Sequence, residues 1–531
     1  MMSDFDWRFP YPSQRMPVLA RNIVATSQPL AAQAGLDILR AGGNAVDAAI
    51  ATAITLTVVE PTSNGLGADN FALIWSDGRL HGLNASGRAP AALRPEDFGA
   101  LTEVPLFDWR AVTVPGAVSG WVAAHQRFGR LPFASLFEAA IRYAKSGFLV
   151  SPQTAYYWGR GAERYEGDDF RAWHDTFAPN GPPKAGERFH SDDHARTLQQ
   201  IAVDSGASFY RGDLAKQIAA ASQAGGGRMT VDDLAAHEPE WVEPISIDYH
   251  GYRLHEIPPN GQGLAALLML GILRHHPIRD LQVDCPDVVH VQIEAMKLAF
   301  ADAHRYIADP KWMDVDVRAL LDDDYLAGRA RLIDPSRAQN FDHGTPLSGG
   351  TILLTAADER GMMVSFIQSN YTGFGSGKVV PGTGIAMQNR GGCFNLTPGH
   401  PNQANGGKRP FHTIIPGFVT RHGAPVMAFG VMGGAMQPQG HAQVLSRIVD
   451  FRQNPQAALD APRWQVFDGM RVGVEPGFPD DVYDTLRAKG HDVETPPEHT
   501  VAYGGGQAIW RLKDGYLGAS DLRRDGQAVG Y

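Results

Sequence analysis

The chain has 531 residues, 44% of them hydrophobic and 20% charged, proportions of a globular protein long enough to bury a large core. Its 47 basic and 57 acidic residues leave a formal charge of −10 with no Lys/Arg run, which argues against a nucleic-acid or anionic-membrane partner. The only cysteines, Cys285 and Cys393, offer neither a disulfide framework nor a cysteine-based zinc site. HExxH, CxxC and GxSxG patterns are absent, no metal constellation emerges from the 19 histidines, and no cofactor is expected. Met1 to Asn22 lacks the continuous apolar stretch of a signal peptide, and no segment is long and apolar enough to span a bilayer, so the expected compartment is the cytoplasm.

In chain order, Leu30 to Arg40 has helical spacing, Gly42-Gly43 breaks it, and Asn44 to Asp47 opens a second, very apolar helix running to about Val59. After the glycine turn Asn64 to Gly67 come a strand Phe71 to Trp75, an Asp77-Gly78 turn and a strand Arg79 to Asn84. Helical patterns follow from about Val114 to Gly147 and from Asp287 to Asp309, the latter with His290, Met296 and Phe300 as core or face residues. Pro335 to Gly350 is polar, turn-rich and aperiodic, so it is expected to be an exposed connector. At Thr351 a hairpin begins, with strands Thr351–Asp358 and Met362–Ser369 around a tight turn. A two-residue loop would pair Asp358 with Gly361 and Thr351 with Gln368, with Ser369 next, and a register one residue out would put Ser369 directly opposite Thr351.

A threonine hydroxyl needs a base beside it, and a free α-amino group with a pKa of about 7.7–8.0 is such a base near neutral pH. Thr351 would carry both groups if the Gly350-Thr351 bond were cut. The hydroxyl attacks the Gly350 carbonyl, the acyl group moves from nitrogen to oxygen, and water cleaves the ester. Glycine before the nucleophile lessens crowding in that step.

The surrounding motifs extend the case. Asn370-Tyr371-Thr372-Gly373 follows the hairpin, then Pro381 to Ile385 and Gly407 to Pro410. Upstream lie Ala41 to Ala49, Val114-Pro115-Gly116, Pro258 to Gly263 and Glu294 to Asp302, and downstream Gly518 to Gly526. In these ordered motifs the chain resembles the γ-glutamyltranspeptidase family of N-terminal nucleophile hydrolases over nearly its whole length. The resemblance implies an α+β fold, a four-layer αββα sandwich. It also implies a precursor cut into fragments 1–350 and 351–531 that stay together as a heterodimer in one compact unit, with a dimer of that heterodimer left open. It assigns Thr351 as nucleophile, Ser369 as its hydroxyl partner, and Gly433-Gly434 as oxyanion donors.

Departures from the family fall on the substrate pocket. Its Arg-Glu-x-Ala-Pro is here Ser86-Gly87-Arg88-Ala89-Pro90, so the carboxylate-binding arginine position is Ser86, with Arg88 two places on. Its Asn-Asn-Gln-Met-Asp-Asp-Phe is Gln388-Asn389-Arg390-Gly391-Gly392-Cys393-Phe394, which replaces the amine-binding acid with Cys393 and adds a cation. Its Lys-Arg-Pro-Leu-Ser-Ser is Lys408-Arg409-Pro410-Phe411-His412-Thr413. Arg88, Tyr371, Arg390, His412 and Thr413 are therefore the candidate substrate residues, for a small carboxylated amide or peptide. Arg88 is alternatively a salt-bridge partner, and His412 alternatively satisfies a local hydrogen bond. A shorter segment from Phe394 to Lys408 than in lidded members favours hydrolysis over transpeptidation. The leading expectation is cleavage of γ-glutamyl amides such as glutathione; the alternative is a non-glutamyl carboxylated amide, of the oxamate hydrolase or cephalosporin/glutaryl acylase type. A nucleotide loop at Gly373 to Lys378, an uncleaved inactive scaffold, and Cys393 as nucleophile are weaker readings.

Overall fold

The computed structural model describes residues 14–341, 350–495 and 503–531; the side chains of 350–352, Thr351 included, and the connector residues 342–349 lie outside the described residues. Helix α1 (Pro29–Arg40) starts on Gln28, whose side chain accepts from the Leu30 and Ala31 amides. Helix α2 (Ala45–Val59) starts on an Asn44–Asp47 capping box and is buried along its whole length. The helical pattern expected from Val114 to Gly147 is broken into α3 (Ala117–Phe128) and α4 (Glu138–Ser146). Gly129 ends α3 by donating to His125 O, and Pro132 leads into the next turn. Helices α5 (Gly263–Leu273), α6 (Pro286–Tyr306) and α7 (Met436–Val449) complete the main helical set.

Fourteen strands form two antiparallel seven-stranded sheets. They are β1 (Val18–Ala20), β2 (Ile23–Thr26), β3 (Asp69–Ser76), β4 (Arg79–Asn84), β5 (Glu240–Val242), β6 (Ile245–Tyr249) and β7 (Tyr252–Glu256). The rest are β8 (Gly350–Ala357), β9 (Met363–Tyr371), β10 (Gly417–Arg421), β11 (Ala424–Met432), β12 (Gly505–Arg511), β13 (Tyr516–Ser520) and β14 (Gln527–Gly530). One sheet runs β14-β2-β8-β9-β3-β4-β5 and the other β1-β13-β12-β11-β10-β7-β6. Phe71, Leu73, Leu353, Ile367, Phe418 and Met432 fill the space between them. A second core joins the first sheet to α1–α4, and a third joins the other sheet to α5–α7. Apolar residues on both faces of each sheet thus produce the expected αββα layering.

The central hairpin corrects the expected register. Ala357 pairs with Met363 and Ile352 with Gln368, so the strands are one residue out from the two-residue-loop alignment. The reason is Gly361, which adopts φ +94° and donates to Asp358 O, making a three-residue loop with a left-handed last position. A second irregularity follows at the other end, where Gly350 pairs with Tyr371. Thr351 lies in that bulge, opposite Ser369 and Asn370, rather than opposite Gln368.

The start of the connector is anchored rather than free. Glu294 and Lys297 hold the Gln339 amide and carbonyl, and Lys489 O accepts from Ala338. Lys297 Nζ also reaches His491 Nδ1 at 3.3 Å, His491 Nε2 meets His290 Nδ1 at 2.8 Å, and His290 Nε2 meets Asp334 O at 2.9 Å. One tautomer of each ring satisfies this whole chain, and a further proton would set N–H against N–H. Burial accordingly lowers His491 to about 2, and lowers His194 and His304, elsewhere in the fold, to about 4. These groups are neutral when folded and charge below about pH 6.5 when unfolded, so their contribution is intact at neutral pH and lost on acidification. Each costs about 1.4 kcal/mol per pH unit below that point. The melting temperature should fall steeply between pH 6.5 and 4; an unchanged value over that range would contradict the assignment.

Candidate active site

Side chains alternate along strands, so Ser369, two residues from Ile367, and Asp69, two residues from Phe71, share the face that looks toward the second sheet. They are partners across β9 and β3, and both are fully buried. Ser369 Oγ accepts from the Tyr371 amide at 2.8 Å. This fixes Tyr371 at φ +79°, a left-handed conformation costly for an aromatic residue.

Tyr371 carries Arg390. The guanidinium carbon lies 4.6 Å from the Tyr371 ring centre, and Nη1 donates to Thr413 Oγ1 at 2.6 Å. Arg390 is fully buried, yet its Nε and Nη2 have no hydrogen-bond partner among the described residues. Burial holds the neighbouring Cys393 thiol above its ordinary value, and burial with Cys393 holds the Tyr371 phenol well above its own. Both are neutral near pH 7, so neither the thiol nor the phenol offers a ready base.

His412 joins the cluster from the other side. Its Nε2 lies 3.2 Å from Asp69 Oδ2, its ring packs on Phe71, and burial followed by Arg390 and Arg409 keeps it well below its usual value, hence neutral. Asp69 Oδ1 accepts from the Gly87 and Gly116 amides at 3.2 and 3.1 Å. Desolvation raises the Asp69 carboxyl to about 7, against the pull of Arg390. Sequence reasoning missed Asp69. Its local pattern, an acid and an amide ahead of the apolar run Phe71 to Trp75, carries no signal of the cluster that it joins.

The remaining candidates divide. Gly433 and Gly434 sit between β11 and α7 with φ +127° and +60°. The Gly433 carbonyl accepts from Met436 at the helix start, so the Gly434 N–H, trans in the same peptide, points away from the helix. Gln262 Nε2 donates to both Gly434 O, at 2.8 Å, and Thr413 O, which ties this loop to the Arg390 pocket. Arg88, by contrast, is drawn into a separate network: it pairs with Asp309 at 2.6 Å and Glu240 at 3.3 Å, and Arg409 shares Glu240 at 2.7 Å. The salt-bridge alternative is the one its geometry matches. Ser86, at the family's arginine position, is buried and hydrogen-bonded to Asn84 and Asn260. Lys378 of the glycine-rich segment lies over the Phe170 ring at 4.3 Å, against a phosphate-binding role.

His290, Glu294 and His491 converge closely enough to hold a metal ion, a grouping that the i, i+4 spacing of the first two could have signalled. Lys297 Nζ sits 2.8 Å from Glu294 Oε1 within it, and the satisfied hydrogen-bond chain accounts for the cluster without an ion.

Two facing sheets clad by helices, with the polar cluster at one end between them, define the N-terminal nucleophile hydrolase class. The γ-glutamyltranspeptidase family model matches residues 31–531, and the chain belongs to that family of amide hydrolases and acylases. It is 36% identical to the glutathione hydrolase-like YwrD proenzyme of Bacillus subtilis, over 96% of this chain and 98% of that one. It is 37% identical to the oxamate amidohydrolase proenzyme of Klebsiella pneumoniae, over 94% and 97%. The crystal structure of cephalosporin acylase from Bacillus halodurans superposes with a TM-score of 0.96 at 52% identity, covering 100% of this chain and 99% of that one. Among the described residues no helix is long and apolar enough to cross a membrane.

A side chain at Gly433 would place Cβ 3.0 Å from Gly504 Cα and 3.2 Å from Met436 Cβ, at a φ open only to glycine. Gly433→Ala should lower kcat by about 100-fold or more through the misplaced amides, with a much smaller change in KM. A KM change as large as the kcat change would point to a binding role instead.

Proposed function

We propose that the chain is a self-processing amidohydrolase that uses Thr351 as an N-terminal nucleophile to remove an acyl group carrying its own carboxylate. The observation that carries the substrate class is Arg390: a buried guanidinium with two nitrogens that have no hydrogen-bond partner among the described residues, supported on Thr413 and Tyr371. Buried N–H groups left without acceptors are costly, and a carboxylate supplies the bidentate acceptor that matches the fork. In this reading Thr351 Oγ1 attacks the amide carbon, with its proton passing to its own α-amine. The oxyanion is held at Gly433-Gly434, the amine leaves with that proton, and water hydrolyses the ester. Fragments 1–350 and 351–531 form the working heterodimer.

Loss of the family's amine-binding acid at Cys393, together with the likeness to a cephalosporin acylase, favours a glutaryl-like or other non-glutamyl acyl group over γ-glutamyl. This reverses the order expected from sequence. One observation favours the γ-glutamyl alternative: Asp69 supplies an acid to the same cluster, from a different strand.

Mass spectrometry of the wild type should give a small fragment that begins at Thr351, and of Thr351→Ala a single chain uncut at that bond. Cleavage elsewhere, or full activity of the variant, would overturn the nucleophile. With the processed enzyme, Arg390→Gln should raise KM for glutaryl-p-nitroanilide by about 30-fold or more, roughly 2 kcal/mol, and leave that for butyryl-p-nitroanilide within a few-fold. Equal losses on the two anilides would make Arg390 structural.

A further inference from the structure

The polar groups of this site form two balanced sets. In the outer one, Arg88 and Arg409 face Asp309 and Glu240, two charges against two. The inner set is Arg390 with Asp69, one charge against one, both fully buried. Arg409 of the outer set also reaches Asp69 and His412 electrostatically, while the titratable groups in contact with the inner pair are neutral near pH 7. His412 contacts Asp69 directly, Cys393 and Tyr371 flank Arg390, and the Tyr210 phenol, raised by burial, lies within the electrostatic reach of Asp69. Ser369 on β9, the Gly87 amide beyond β4 and the Gly116 amide before α3 add dipoles but no charge. Above pH 7, where Asp69 is ionised, the inner pair therefore carries no net charge.

Resting on the carboxylate role of Arg390, we infer that Asp69, with His412, is a specificity-determining pair that takes up one proton when the acyl group is a simple anion and none when it is zwitterionic. A lone carboxylate on Arg390 neutralises the cation that balances Asp69, which leaves a buried, unpaired negative charge. One proton on Asp69 Oδ2 restores neutrality: it faces His412 Nε2 at 3.2 Å, which accepts it once the ring proton moves to Nδ1 in place of the 3.4 Å bond from the Ile414 amide. An α-amino acid head brings its own ammonium, so a γ-glutamyl group leaves the balance unchanged. The Asp69 carboxyl, already near 7 in the free protein, lies where such uptake occurs at physiological pH. The acid that discriminates the two substrate classes thus sits on β3, while the family's amine-binding position is vacated to Cys393.

Titration calorimetry on the processed enzyme at pH 8, in two buffers of different ionisation enthalpy, tests this with glutarate and L-glutamate, which differ by one ammonium. Glutarate should bring in close to one proton per site more than L-glutamate, and its Kd should rise up to about tenfold per pH unit above pH 7. In Asp69→Asn, which keeps an acceptor for the Gly87 and Gly116 amides, that difference should vanish and glutarate binding should lose its pH dependence. Equal proton uptake by the two acids in the wild type overturns the inference, whether or not the variant folds. If Arg390→Gln leaves both affinities unchanged, or glutarate fails to bind, the carboxylate role of Arg390 falls and the inference falls with it. If Arg390→Gln weakens both acids while uptake stays equal, the carboxylate role stands and only the Asp69 pair is lost.

Discussion

The pairing of β8, β9 and β3 at the centre of one sheet is the constraint on which the site depends. All nine residues of β9 are buried and Met363–Gln368 pair with strands on both sides, so its register cannot slip without turning an apolar face out of the inter-sheet core. That fixed register sets Ser369 against Asp69 and brings Thr351 into a bulge beside them. The bulge bears on the proposed chemistry, because it interrupts regular pairing at the residue whose backbone nitrogen that cleavage would free. Tyr371, forced to positive φ at the end of the same strand, turns the chain toward the segment that bears Arg390. One strand therefore positions the nucleophile's neighbour, the ring under the cation, and the partner of the buried acid.

Burial then decides the electrostatics. In water, Arg390 and Asp69 would be an unremarkable pair of charges; with both sealed between the sheets, their balance governs what else can enter. The outer pairs around Arg88 and Arg409 are closer in contact but carry half-exposed members such as Glu240, and their worth is correspondingly small. Selectivity is thus expected from the charge of the acyl group more than from its exact shape.

Much of the layering is legible in the sequence. The strand Arg79–Asn84 has the expected bounds, α2 reads as very apolar, and Thr351 opens its hairpin within one residue of the observed start. The hairpin register is not legible, because it turns on whether Gly361 closes a two- or a three-residue loop, and both are compatible with Asp-Glu-Arg-Gly. Asp69 is invisible for a different reason. Its partners Gly87, Gly116 and His412 lie 18, 47 and 343 residues away, so no local pattern distinguishes it from a strand-capping acid. Arg88 shows the converse: it stands near a recognised motif, yet Asp309, 221 residues on, takes its guanidinium.

The same topology would hold the chain together as one body after the proposed cut between residues 350 and 351. In the first sheet β8, β9 and β14 alternate with β2 and β3, so β2 is hydrogen-bonded on both edges to strands from the far side of the cut, and β9 bonds β3. In the second sheet β1 pairs with β13 and β7 with β10. Separating the fragments would break main-chain ladders in both sheets and expose all three cores at once. The Lys297–His491–His290 chain adds a further crossing, since it joins α6 and the anchored residues 334–339 to the segment after 480. That anchor holds the last described residues of the large fragment against the core on either side of the reaction. In the proposed processing, scission at Thr351 would therefore release a new amino group without releasing a subunit, and the interlocked sheets would keep that group in the bulge beside Ser369 and the buried charge pair.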